Sequence, residues 1–151
     1  MLKKINIKEY HFRDITSLGS FFITSLILLL VLVLQEYNLF YRLLFGLIFT
    51  LVGVVAIRTF YFKNRPKKEN YKNYIGKLEA SSFPSLHTAR MIFLALIFSF
   101  HFKQIQMTLF FIFIALITMY SRIHLKKHDW VDISSGAFLG LLTYWMITLM
   151  F

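Results

Sequence analysis

The chain has no cysteine, only two prolines in 151 residues, and seven aspartates and glutamates against seventeen lysines and arginines. Without thiols, disulfide scaffolds and thiolate-held metal centres are excluded. The few carboxylates argue against a Mg²⁺ cage, because Glu69, Glu79 and Asp129 are too scattered to supply one. No internal repeat or low-complexity tract is present. No Ala-x-Ala site follows the charged N-terminal stretch, and the next apolar run is too long for a signal peptide.

What the chain does have is apolar surface. It is 58% hydrophobic, with eighteen phenylalanines and a mean hydropathy of +0.63, too apolar for an ordinary soluble domain. Its length suits one domain. The formal charge of +10 sits mainly at the ends of apolar runs. Anionic headgroups and membrane topology account for that placement, so a bilayer partner is expected and nucleic acid is not.

These features predict an all-α, polytopic membrane helix bundle with about five transmembrane helices. Residues 1–17 combine Lys3, Lys4, Lys8 and Arg13 with Ile5, Ile7, Tyr10 and Phe12, a pattern that suits an interfacial anchor helix. Apolar runs over 18–34, 39–62, 83–102, 107–120 and 131–151 read as membrane helices. Residues 63–82 form a polar loop punctuated by Pro66. Ser81-Ser82-Phe83-Pro84 reads as the start of the third helix, with serine as N-cap and proline in the first turn. In the last helix, Gly136 and Gly140 would let another helix backbone approach.

The chemistry concentrates in Ser121–Asp132. His128 and Asp132 are four apart, so on a helix they would share a face. The carboxylate could then hold one imidazole nitrogen and leave the other aimed at an electrophile. Arg122 adds a planar fork suited to phosphate oxygens. The same stretch also reads as a basic membrane loop. Antiparallel packing would bring Arg58 and Arg65, then Ser85 and His87, to the same membrane face as Arg122, His128 and Asp132.

Three segments resemble the tripartite signature of the type 2 phosphatidic acid phosphatase family. The family's Lys, six residues, Arg-Pro stands here as Arg58, six residues, Arg65-Pro66. Its Pro-Ser-Gly-His stands as Pro84-Ser85-Leu86-His87. Its Ser-Arg, five residues, His, three residues, Asp is matched in full by Ser121-Arg122, His128 and Asp132. Two departures stand out. Arg58 replaces a point donor by a fork, and Leu86 replaces a glycine beside the phosphate, which bears on clearance and on backbone conformation.

The resemblance implies a lipid phosphatase that needs no cofactor or metal. In it His128 is the nucleophile, Asp132 its orienting partner, and His87 the general acid and then base. Arg58, Arg65, Ser85, the Leu86 amide and Arg122 would bind phosphate. Arg90 would either meet the lipid headgroup or snorkel, and His101 and His124 read as surface residues. The substrate class would include phosphatidylglycerophosphate, phosphatidate, polyprenyl diphosphate and lipid A phosphates. A lipid phosphotransferase of the same superfamily and a non-catalytic lipid-binding scaffold are the alternatives. Setting aside Arg58, Arg65, Arg90 and Arg122, eleven basic residues fall on the face of the motifs and two, Arg42 and Lys103, on the other. The positive-inside rule therefore places the site on the cytoplasmic face of the cell membrane, whereas relatives usually work on the exoplasmic side.

Overall fold

The computed structural model describes residues 17, 19–67 and 70–151. The anchor expected over 1–17 lies outside the described residues except for Ser17. Among the described residues the fold is all-helical: α1 (Phe21–Val33), α2 (Tyr37–Phe60), α3 (Tyr74–Ala80), α4 (Leu86–Phe102), α5 (Ile105–His124) and α6 (Trp130–Met150). The only pairing of extended backbone among them is an isolated bridge between Asn64 and Ser81.

The helix starts follow from side-chain chemistry. Ser20 Oγ accepts the Ile23 N–H and caps α1. Asp129 caps α6 in a reciprocal box: its carboxylate accepts the Asp132 N–H, and the Asp132 carboxylate accepts the Asp129 N–H, each at 3.0 Å. The third apolar run begins at Leu86 rather than at residue 83. Its cap is Ser85, whose Oγ accepts the Thr88 N–H, while Pro84 precedes the cap after a cis peptide bond. Ser81 and Ser82 instead face the chain leaving α2, with the Ser82 N–H donating to the Lys63 carbonyl at 2.8 Å. Between these points, the expected loop 63–82 contains the short helix α3, capped by Asn73. At the other end, α5 runs four residues beyond the expected boundary, so Ser121 and Arg122 lie in its last turns.

α4 is the central helix, packed chiefly against α5 and α6 and also against α2. Its buried Phe93, Leu94, Ile97 and Phe98 meet Leu43 of α2, Ala115 of α5 and Ile147 of α6 in one apolar core. Glycines set the closest approaches. A Cβ on Gly46 would fall 2.0 Å from Phe93 Cζ, so the absent side chain is the notch that receives that ring. A Cβ on Gly136 or Gly140 would come 2.5 Å from the Ser85 or Ala89 carbonyl oxygen respectively. The Gly-x-x-x-Gly spacing is therefore the contact line between α6 and α4.

Large apolar side chains such as Phe21, Phe60, Phe113 and Trp145 point outward, as expected of a surface solvated by lipid tails. Among the described residues three helices, α2, α5 and α6, are long and apolar enough to cross a membrane. Of the five spans expected, α1 and α4 are apolar but shorter, with 13 and 17 residues. At 1.5 Å per residue they reach roughly 20 and 26 Å, short of a ~30 Å hydrocarbon core.

The glycine contacts give a direct test. Gly136→Ala and Gly140→Ala should each lower stability by about 1–3 kcal/mol through overpacking against a carbonyl. Gly53→Ala, whose Cβ would meet only the Leu139 side chain at 3.4 Å, should be near neutral. Thermal unfolding in detergent reads both, and an unchanged midpoint for Gly136→Ala would contradict the backbone contact.

Candidate active site

One end of the bundle gathers the polar residues of three segments distant in sequence. The tie between two of them is a backbone hydrogen bond: the Ser85 N–H donates to the Asp132 carbonyl at 3.0 Å. It links the start of α4 to the first turn of α6, and the nearby Gly136 leaves room for it. A second backbone bond, from the Lys67 N–H to the Lys126 carbonyl at 3.0 Å, joins the loop after α2 to the turn before α6.

Between these ties lies a cavity of about 310 Å³ lined by Arg58, Arg65, Glu79, Leu86, His87, Arg122 and His128. Arg58, buried in the last turn of α2, uses both ends of its fork structurally. Nη1 donates to the Leu78 carbonyl and Nη2 to the Pro84 carbonyl, each at 2.9 Å. Arg65 similarly donates to the Glu79 carbonyl. The two arginines thus fasten α3 and the entry to α4 around the cavity while presenting positive charge to it.

His87 is the second residue of α4, and the chain before α1 crosses close to its ring. A Cβ on Gly19 would meet His87 Cδ2 at 3.1 Å. Leu86 lies in the helical first turn, and the positive-φ residues among those described are Gln35, Lys103 and Lys126. A left-handed backbone is therefore not required at position 86, so glycine's special freedom is not needed there. The leucine side chain simply forms part of the wall.

His128 precedes α6 rather than lying on it. The expected four-residue helical face is replaced by a cap geometry, with Asp129 as N-cap and Asp132 three residues on. Arg122 Nη2 lies 3.3 Å from His128 Nε2. An arginine can only donate, so that contact makes Nε2 the accepting nitrogen and assigns the ring proton to Nδ1. Nδ1 faces Asp132 Oδ2 at 3.7 Å, an ion-pair distance longer than a hydrogen bond. The lone pair of Nε2 is thereby turned to the arginine side of the cavity and the proton to the carboxylate.

Lys63 is a member of this cluster that its sequence context did not reveal. It lies just beyond α2, where position alone makes it one more basic residue at a membrane boundary. Its Nζ is 2.6 Å from Asp129 Oδ2 and 2.8 Å from Asp132 Oδ1. Burial works to lower the Lys63 pKa, but the hydrogen bonds and charges of the two aspartates outweigh it and leave it raised. His128 moves the other way. Burial, helped by the charges of Arg122 and Arg65, lowers its pKa to about 4 against the opposing pull of Asp132. The imidazole is therefore neutral near pH 7.

Not every expected residue lines the cavity. Ser85 and Asp132 are fully buried behind its wall, and Ser85 Oγ accepts from the Thr88 N–H and hydroxyl. Arg90 points elsewhere. It donates to the Gly19 carbonyl at 3.1 Å and lines a separate apolar cleft of about 180 Å³ with residues such as Thr24, Leu28 and Leu47. Among the described residues, no group of three or more His, Asp or Glu side chains is placed to hold a metal ion.

A family model described as PAP2 superfamily matches residues 39–151. The fold is similar to that in the crystal structure of Aquifex aeolicus LpxE, with a TM-score of 0.79 and 20% sequence identity over 97% of this chain and 88% of that one. No curated protein matches the chain.

The state of His128 can be tested without any substrate. An NMR titration of the side chain in detergent micelles should show a midpoint near 4, not near the ordinary 6.5. Between those values the unfolded chain binds the proton and the folded one does not. Stability should therefore be fully present above about pH 6.5 and fall as the pH drops toward 4. A midpoint near 6.5 would contradict the buried, arginine-flanked placement.

Proposed function

The chain belongs to the PAP2 superfamily, and on that premise we propose that it is an integral membrane phosphatase acting on a lipid phosphate through a phosphohistidine intermediate. The observation that carries this reading is His128. Its proton-bearing nitrogen faces a buried carboxylate, and its other nitrogen faces an arginine-lined cavity.

In the proposed reaction, Nε2 of His128 attacks phosphorus and the bond to the lipid oxygen breaks. His87 protonates the departing alkoxide, then takes a proton from the water that cleaves the phosphohistidine. Asp132 keeps the His128 proton on Nδ1 and balances the charge that develops on the ring. Arg58, Arg65 and Arg122 stabilise the equatorial oxygens. The Leu86 amide, in the first turn of α4 where N–H groups lack intrahelical acceptors, adds a donor. Ser85 contributes through its position as cap, and its own O–H remains to donate. No step calls for a metal.

The lipid character of the substrate is supported by the outward-facing aromatic surface and by an apolar cleft of about 260 Å³ between α4, α5 and α6, with Ile92, Leu116 and Leu141 in its walls. Phosphatidylglycerophosphate, phosphatidate, polyprenyl diphosphate and lipid A phosphates all present a phosphate at the interface and apolar tails. Arg90 lies outside the catalytic cavity. Any headgroup contact by Arg90 is confined to the cleft between α1 and α2.

Purified protein should release inorganic phosphate from at least one of these lipids, and release should persist in EDTA. His128→Ala should abolish it. Complete loss on chelation would remove the metal-independent route, and near wild-type release by His128→Ala would reassign the nucleophile.

We place the site on the cytoplasmic face, because Lys63, Lys67, Lys72, Lys77, Lys126 and Lys127 cluster at the cavity end while Arg42 and Lys103 occupy the other. Asn70 is exposed in the segment between α2 and α3. A cysteine substituted there should resist a membrane-impermeant thiol reagent in intact cells and react after permeabilisation. Ready labelling of intact cells would put the cavity outside.

A further inference from the structure

Lys63 is one of the six intervening residues between Arg58 and Arg65 and not one of the residues that define the motif, and it does not line the cavity, yet it contacts the carboxylate behind the nucleophile. Its backbone is fixed from two sides. Its N–H donates to Ser81 Oγ at 3.4 Å, and its carbonyl accepts the Ser82 N–H at 2.8 Å. From this anchored position the side chain reaches the start of α6, where it is one-quarter exposed and bridges Asp129 and Asp132.

The bridge divides the work of the Asp132 carboxylate between its oxygens. Oδ1 accepts from Lys63, while Oδ2 accepts the Asp129 N–H and faces His128 Nδ1. A fully buried carboxylate needs a compensating cation or donors on both oxygens. The remaining charges around the pair are arranged differently. Arg122 from α5, Arg65 from the loop, Arg58 from α2, His87 from α4 and Glu79 from α3 line the cavity on the nucleophile's side, and Asp129 adds a second anion at the cap. Lys63 is the cation that bridges these two aspartates.

We propose that Lys63 is a positioning residue for phosphoryl transfer, holding Asp132 so that the His128 ring is oriented toward phosphorus. This rests on the phosphatase reading above. An exposed lysine–carboxylate pair would contribute little. Here one carboxylate is fully buried and belongs to a cap that fixes the backbone next to the nucleophile, so displacing Lys63 disturbs both the charge balance and the direction of the carboxylate.

The test compares Lys63→Met, Lys63→Gln and Lys63→Arg with the wild type. Because Lys63 does not line the cavity, Lys63→Met should leave KM within about threefold and lower kcat by about 10–100-fold, the range for removing a partner behind a functional ligand. Lys63→Arg should restore most of the rate. Removing the cation should also raise the His128 midpoint, seen by NMR in the absence of substrate and as an acid limb of the rate profile moved to higher pH. The NMR arm separates this proposal from the phosphatase reading. A wild-type protein that releases no phosphate overturns the reading, whereas a His128 midpoint unmoved in Lys63→Met overturns the coupling. Wild-type kcat in Lys63→Met, or a loss confined to KM, also overturns it. If both Lys63→Met and Lys63→Gln fail to fold while Lys63→Arg folds, Lys63 is a structural tie and the proposal fails.

Discussion

The bond from the Ser85 N–H to the Asp132 carbonyl is the contact on which the site depends. It requires two helix starts to meet backbone to backbone inside an apolar bundle. That closeness exists only because Gly136 and Gly140 leave no side chain between α6 and the carbonyls of Ser85 and Ala89. With α4 and α6 locked at this depth, His87 and His128 fall on the same cavity. The pairing also places the start of α4, with its outward N–H groups, beside the arginine-lined cavity.

Around this lock, cations serve as both structure and chemistry. Burying guanidinium groups is costly unless their donors are satisfied. Arg58 meets that requirement with the carbonyls of Leu78 and Pro84, and Arg65 with that of Glu79. This explains the departure at position 58. A lysine offers one compact charge, but two carbonyls from separate segments suit the two ends of a planar fork. The departure at Leu86 has an equally local explanation, since a helical first turn accepts any L-residue and the side chain becomes wall.

Much of this was legible in the sequence. The apolar runs announced the helices, and the spacings around Arg65-Pro66, His87 and His128 announced which ends would converge. The Gly-x-x-x-Gly spacing in the last run marked a real helix contact. The errors had physical causes. Serine caps were available at 81, 82 and 85, and only tertiary pairing of Ser81 and Ser82 with the chain leaving α2 decided for Ser85. α3 is a helix of seven residues, too short for periodicity to reveal. His128 lies just before the Asp129 cap, so it meets Asp132 across a helix start and not along a helical face, a contact that the same four-residue interval allows. Lys63 was invisible because a basic residue just past a membrane helix is the ordinary case, and its carboxylate partners lie 66 and 69 residues away.

The Arg58 clamp bears on how turnover is paced. It holds the Leu78 and Pro84 carbonyls, which lie on either side of the segment entering α4, so that segment cannot swing without breaking two charge-assisted bonds in a low-dielectric setting. An enclosure braced in this way is preorganised, and little of its reaction barrier goes to rearranging the protein. The motion left over belongs to the ligand. On the proposed function, a lipid would have to slide laterally and lift its phosphate into a fixed recess, so the fluidity and thickness of a surrounding bilayer would become kinetic variables.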